Sequence, residues 1–452
     1  MAKWLDLLLT PSTNHANPAI NLLSSRMDEV TLPAETMPVY PFDEPGHEIV
    51  VHEGDIEIVG VGVGVGTVSA TTNGSLDIEW KAELPTGIEL GDVTLRLQRP
   101  DLGFVELYAA VNHSGGRGRI ESASLESGQQ LTRVVMHWVN LPWILPAKDL
   151  HGEWGSWAGL WEAQGAGWCM TLSSRPDIGR VLPIMKRSRN FGVTYTGELR
   201  RVDGSSFDVN SAADALYGWQ VSLSFALGRW VAPALPVGFD SADRRAWEQW
   251  APWRCDETSG YLSWWDDHNG DDLKDFVALF LDAWCDSARR DLVWHVCHHL
   301  IAANHSSTTL EARIMLVQAT LEYLSWVRYV LSGTRSGREH KNIRTRDHLK
   351  ELLVAASITK DIPAALPVLQ QFATEEGLAD GPEVVTCLRN RLVHPKDARE
   401  PYQIRHLVLQ AWQLSMQYGE LLLLHELDYR GQFGRRIPPR KWAHTREPVP
   451  WA

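Results

Sequence analysis

Two periods divide the chain. Between residues 48 and 228, apolar positions come in short runs at 48–51, 56–68, 76–82 and 93–97, and Asn73-Gly74 gives a strong hairpin signal between two of them. This spacing predicts an antiparallel sandwich or barrel. From Asp271 onward the apolar residues recur at helical spacing, which predicts helices over 273–303, 309–331, 348–355, 363–374, 381–394 and 402–427. The longest of them can bury their apolar stripes only against each other, so a bundle is expected. Ser306 to Thr309 supply capping hydroxyls, and Glu311 is placed to complete a capping box with Thr308. The expected fold class is α+β and multidomain. A β-sandwich or barrel-like half occupies 1–235, a Trp-rich bridge 236–270, an all-α bundle 271–430 and a basic tail 431–452.

Two features of the first half invite a functional reading and favour a structural one. The run from Gly60 to Gly66 alternates glycine and valine but lacks the Gly-Lys-Ser/Thr ending and the Gly-x-Gly-x-x-Gly spacing of phosphate loops. Alternation instead puts the valines on one face of a strand and bare glycine on the other, where a ring or a neighbouring backbone lies close. Tryptophans cluster at 138, 143, 154, 157, 161 and 168, and again at 247, 250, 253, 264 and 265. Each buries a large apolar area, so core and junction packing outweighs a stacking platform for a base, a sugar or a partner.

Composition limits the function classes. The chain has 452 residues, 44% of them hydrophobic and 22% charged, which excludes wholesale disorder and allows at least two cores. No apolar stretch reaches the length of a membrane span, and Leu7-Leu8-Leu9 is too short for a signal peptide, so a cytoplasmic location without membrane contact is expected. Five scattered cysteines (169, 255, 285, 297, 387) contain no C-x-x-C pair and indicate neither a disulfide framework nor a zinc cluster. His295, His298 and His299 lack the glutamate that would complete a zinc-binding helix motif, so no metal is expected. The net charge of -13 is unfavourable for a nucleic-acid protein, but two segments run against it. Arg335 to Lys350 holds six Lys/Arg against two Asp/Glu, and Arg389 to the C-terminus eleven against six. A basic cleft on an acidic body would have this charge distribution.

The most informative stretch is Cys387-Leu388-Arg389-Asn390-Arg391-Leu392-Val393-His394-Pro395. RNA is cut without metal when its own 2′-hydroxyl attacks the adjacent phosphate. One group then takes that proton, one protonates the leaving 5′-oxygen, and fixed donors hold the phosphorane-like charge. Histidine titrates near neutrality and suits the proton work; arginine matches two phosphate oxygens at once. On a helix at about 100° per residue, Asn390 and His394 share a face while Arg389 lies about 140° away from His394. Pro395 disfavours helix at His394, so the helix should stop there, where the negative end of its dipole favours a protonated imidazole. Arg391, three residues before His394, is a candidate phosphate contact. Lys396 is another, weighed against a plain surface lysine. Glu322 could orient a motif arginine across the bundle.

The spacing Arg-Asn-x-x-x-His resembles the signature of the HEPN (higher eukaryotes and prokaryotes nucleotide-binding) superfamily, over the helical half and not the first half. Leu321-Glu322-Tyr323-Leu324, Leu421 to Leu424 and Asp428 to Phe433 also look like this superfamily. The resemblance implies a HEPN helical domain, Arg389 and His394 as the catalytic pair, Asn390 as the positioning residue, and no metal or cofactor. It further implies cleavage of single-stranded or loop RNA, tRNA included, to cyclic-phosphate ends, in a composite cleft between two copies. A β-rich half before such a domain is similar to the ApeA-like bacterial antiphage proteins, more weakly, through scattered residues such as Asp240, Trp247 and Ser263-Trp264. That similarity implies a silent nuclease whose first half senses a phage-derived trigger. Two other classes stay open: a non-catalytic HEPN scaffold that recognises a phage component, and a carbohydrate-binding protein. The last is disfavoured because no clear carboxylate pair is present.

Overall fold

In the computed structural model, which describes residues 32–84, 89–113, 115–153, 155–258, 261–394, 400–437 and 446–452, the first alternating runs form six antiparallel strands. They are β1 (Ile49–Ile58), β2 (Gly62–Ala70), β3 (Ile78–Glu83), β4 (Gly91–Arg99), β5 (Gly103–His113) and β6 (Arg117–Ile120). They close into a barrel in the order β1-β2-β3-β6-β5-β4, which removes the exposed edges an open sheet would carry. The stretch expected as one strand at 56–68 is a hairpin, turned where the Val61 N–H donates to the Ile58 carbonyl. Its valines, Val63 and Val65, face outward, while a Cβ at Gly64 or Gly66 would run into the β3 carbonyls of Glu83 and Lys81. The glycines are there because a neighbouring strand passes too close for any side chain.

A second sheet of eight antiparallel strands follows. It contains β7 (Ala123–Glu126), β8 (Arg133–Val139), β9 (Lys148–Gly152), β10 (Gly155–Gly165), β11 (Trp168–Ser174), β12 (Val193–Arg201), β13 (Ala232–Phe239) and β14 (Arg245–Trp250). Their order is β7-β14-β13-β8-β12-β11-β10-β9. This sheet is a wall shared by two cores. Along β8, Val135 and Val139 pack with the barrel, whereas Val134, Met136 and Trp138 pack with the helices. Sharing explains why β13, buried at every position, shows no alternation, and why the β-rich half runs to Trp250 and not to 235. The expectation of strands alone up to 228 also needs correction. Two helices interrupt them, α1 (Ile178–Ser188) and α2 (Val209–Leu227). Helix α2 starts at Asp208, whose side chain accepts from the Ser211 N–H (2.8 Å), and ends at Gly228 in the left-handed conformation. Being apolar nearly all round, it presents no stripe to read.

The barrel is joined to the sheet by a buried polar network. The Arg99 Nη2 and the Tyr40 hydroxyl both donate to Glu248 Oε2, at 2.7 and 2.8 Å, and Arg99 Nη1 donates to the Val51 carbonyl. Behind it lies His137, with Nε2 against the Tyr40 backbone carbonyl at 3.1 Å. Burial pushes the His137 imidazole down from 6.5 to about 4. The unfolded chain therefore takes up a proton at this site before the folded one does, and this stabilisation is complete above about pH 6.5 and lost as pH falls toward 4. Urea denaturation should show stability falling by up to about 3 kcal/mol across that window from this group, and His137→Gln should flatten the dependence. Equal slopes in both proteins would contradict the assignment.

The helical half contains α3 (Gly270–Cys285), α4 (Ser287–Asn304), α5 (Leu310–Trp326), α6 (Gly337–Lys341), α7 (Thr345–Ala355), α8 (Pro367–Glu376), α9 (Gly381–Val393), α10 (Glu400–Gln403) and α11 (Leu407–Glu426). The expected helix at 273–303 is broken at Asp286, whose side chain caps α4 by accepting from the Ala288 N–H. The cap of α5 is Thr309, one residue later than the capping box expected at Thr308. A π-helical turn at Val327–Leu331 continues α5. Helix α11 is the central rod: Leu421 to Leu424 are all buried, and it packs on α4, α5, α8 and α9. After it, β15 (Gln432–Gly434) pairs with β16 (Arg446–Pro448). The described parts of the expected basic tail are held down: Phe433, Ile437 and Val449 are core residues, and the buried Arg436 binds both oxygens of Glu420 at 2.6 Å and Asn304 Oδ1 at 2.8 Å. The architecture is α+β, with a β-rich N-terminal half that includes a closed barrel and a helical C-terminal half. Trp138, Trp161, Trp168, Trp247, Trp250, Trp264 and Trp265 are buried in its two cores; Trp154 lies outside the described residues. No helix among the described residues is long and apolar enough to cross a membrane.

Candidate functional site

Helix α9 carries the arginine, asparagine and histidine singled out above. It starts at Asp380, whose side chain accepts from the Glu383 N–H at 3.1 Å, with Pro382 in the first turn. Val384, Val385 and Leu388 bury one stripe against the bundle. A second stripe, Glu383, Thr386, Cys387, Asn390, Arg391 and His394, also at helical spacing, borders a cleft of about 640 Å³. The helix stops at His394, whose N–H donates to the Asn390 carbonyl at 2.8 Å and whose side chain is exposed. Pro395 and Lys396 lie outside the described residues, so the candidate phosphate contact at Lys396 has no described position.

The opposite wall comes from α7 and the residue before it. Arg344, Thr345 and Arg346 line the cleft, and both arginines belong to the basic segment 335–350. Arg346 Nη1 is 3.8 Å from Glu383 Oε1, and Lys350 Nζ donates to the same oxygen at 2.9 Å. The Ala379 N–H and then Lys350 hold the Glu383 carboxyl below its usual range. The carboxylate on this wall is thus already compensated. Two buried polar atoms of cleft-lining residues, Thr386 Oγ1 and Arg346 Nε, have no hydrogen-bond partner among the described residues. Donors of this kind are available to an oxygen-rich ligand or to water.

Arg389 does not line the cleft. As the helical geometry requires, it turns the other way, with Nη1 donating to Asn390 Oδ1 at 3.1 Å and Nη2 at 3.9 Å from Glu322 Oε1 on α5. Glu322 is further engaged by Gln318 Nε2 at 3.3 Å. The structure therefore brings Asn390, Arg391 and His394 together and sets Arg389 behind them, tied to Asn390 and Glu322. Arg391 is ion-paired with Glu376 and lies 5.1 Å over the Phe372 ring. Arg344, Thr345 and Arg346 are the cleft residues that the spacing of the motif could not reveal. The basic run 335–350 was the available signal, but which of its six cations face α9 depends on how α7 packs. Of the histidines near Cys297, His298 has both ring nitrogens engaged, Nδ1 with the Trp294 carbonyl at 2.8 Å and Nε2 with the Tyr217 hydroxyl at 3.1 Å, whereas His299 Nδ1 is buried with no partner among the described residues.

The fold and this cleft define a class: a β-barrel and sheet joined to a helical bundle whose surface carries a basic cleft with an exposed histidine. Residues 126–261, from the end of β7 through β14 and on into the segment before α3, match the family model of the YopA central domain, and residues 286–447 match that of the YopA C-terminal domain. The barrel precedes both matched segments. The chain is 25% identical over 343 residues to the SPbeta prophage-derived uncharacterized protein YopA of Bacillus subtilis (strain 168), a match spanning 74% of this chain and 75% of the relative. No solved structure matches it.

Proposed function

We propose that the chain is a metal-independent RNA endonuclease of HEPN type, acting in the cytoplasm in conflict with phage. The observation that carries this reading is the meeting of Asn390, Arg391 and His394 with Arg344 and Arg346 on one cleft. In the proposed reaction the substrate 2′-oxygen attacks phosphorus and the bond to the 5′-oxygen breaks, leaving a 2′,3′-cyclic phosphate and a 5′-hydroxyl. His394, exposed at the helix C-terminus, moves a proton; Arg344 and Arg346 bind the phosphate, with Arg391 beside them. Arg389 acts as a positioning residue through Asn390, and Glu322 orients it in turn. A second copy of the chain would supply the second proton-transfer group, which makes activity depend on association. The β-rich half would sense the trigger. A relative described as prophage-derived fits a role at the phage–host boundary.

The test is incubation of purified protein with bacterial RNA and tRNA in chelator, wild type beside Arg389→Ala. Cuts with cyclic-phosphate ends that disappear in the variant are expected; undiminished cutting by Arg389→Ala would reject the assignment. A binding-only role draws on one observation, the position of Arg389 outside the cleft lining, and predicts RNA binding without cuts. Binding itself gives a further prediction. In a His394→Ala background, Arg344→Ala and Arg346→Ala should each weaken RNA affinity irrespective of sequence and lower the slope of log affinity against log salt by about 0.7 for a single strand. Fluorescence anisotropy across a salt series reads this, and unchanged slopes would remove these arginines from the phosphate path.

A further inference from the structure

A second cavity, of about 470 Å³, opens where the two halves meet. Its walls come from the sheet half (Lys186 at the end of α1, Arg229 just after α2), from the bridge (Thr258, Tyr261, Trp265) and from β16 (Arg446). None of these residues belongs to the α9 cleft. Arg229 is the unusual member. It is only 4% exposed, its Nη2 donates to the Asn140 carbonyl at 2.6 Å, and its Nη1 has no hydrogen-bond partner among the described residues. Among the described residues no carboxylate is ion-paired with it. Asp256, whose charge reaches it, is engaged elsewhere, accepting from the Trp230 N–H at 2.8 Å and lying 3.3 Å from His305 Nε2. Burial lowers the Arg229 pKa, the direction expected for a guanidinium without a counterion.

A buried cation left unpaired is costly, and its cost is relieved when an anion completes the site. The other charges lining the cavity leave that place open. Arg446 lies 3.6 Å from Asp272, and Arg435 is paired with Glu447. Two carboxylates, Asp266 and Asp267, also line the cavity, and both engage His268, at 3.3 and 2.8 Å from its Nδ1. Lys186 has no ion-pair partner among the described residues and stands on the same cavity as Arg229. The aromatic walls at Tyr261 and Trp265 add apolar area, and the volume falls within the usual range for small-molecule sites.

We propose that this junction cavity binds a small ligand carrying a phosphate group, held by Arg229 and Lys186, either as free phosphate or as the phosphate of a mononucleotide. The ligand would touch the sheet half, the bridge and the C-terminal strand pair at once, so its binding would tie the two halves together. The proposal stands independently of the nuclease reading. The test is calorimetric titration of the full chain with sodium phosphate and with adenosine 5′-monophosphate, with adenosine as the phosphate-free control. Both phosphates should bind one per chain and adenosine should not; tighter binding of the nucleotide would identify a nucleotide site, and equal binding a free-phosphate site. Lys186→Ala, at an exposed position that leaves the core intact, should weaken binding about tenfold, and Arg229→Gln should weaken it at least as much. Binding that is lost in Arg344→Ala but kept in Lys186→Ala would place the phosphate in the α9 cleft instead and would overturn the proposal. No binding up to about 10 mM of either phosphate, or binding that survives both Lys186→Ala and Arg229→Gln, would overturn the proposal.

Discussion

Replacing His394 by alanine is expected to lower metal-free RNA cleavage by about 10²–10⁴-fold, the usual worth of a positioned proton-transfer group. The same change should leave folding stability within about 0.5 kcal/mol of wild type, because the side chain is exposed and its only described hydrogen bond is through the backbone N–H to Asn390. Loss of cleavage without loss of stability would separate chemistry from structure at this residue. The paired measurements are single-turnover cleavage of an RNA oligonucleotide and urea denaturation on the same preparation. A variant that cuts as fast as wild type would move the proton work to another residue.

The second large effect concerns the joint between barrel and sheet. Glu248 is fully buried and Arg99 4% exposed, and their 2.7 Å contact is the centre of a network that also holds Tyr40. Glu248→Ala leaves the Arg99 guanidinium buried without its counterion and should cost about 3–5 kcal/mol. Replacing both together, Arg99→Met with Glu248→Leu, should cost much less, since no fully buried charge is then stranded; Arg245, which also meets Glu248 at 3.2 Å, is partly exposed and keeps access to water. Equilibrium denaturation of the two proteins decides the matter; a loss under about 1 kcal/mol for Glu248→Ala would show that the network is not the joint.

The legible parts of the fold were those with one buried face. Alternation in β3 and the apolar stripe of α9 could be seen because each packs on one core and meets solvent on the other side. Helix α2 and strand β13 were hidden for the opposite reason, since elements covered on nearly every side carry no period. Asp286 is hard to read as a break inside a long apolar run because a single cap is a weaker signal than the periodicity around it. At the candidate site, local spacing was enough to put Asn390 and His394 on one face and Arg389 on another. The contribution of Arg344 and Arg346 depended on how α7 lies against α9, which no spacing along the chain encodes. The buried Arg229 was equally invisible, because its isolation is a property of its tertiary surroundings.

The most direct test of the central claim compares two oligonucleotides of one sequence, one all-ribose and one all-2′-deoxy, incubated with purified protein in chelator. The account predicts cutting of the ribose strand alone, with 2′,3′-cyclic phosphate ends. Cutting of both strands, or cutting only when a divalent metal is restored, would contradict attack by the substrate's own 2′-hydroxyl at the α7–α9 cleft.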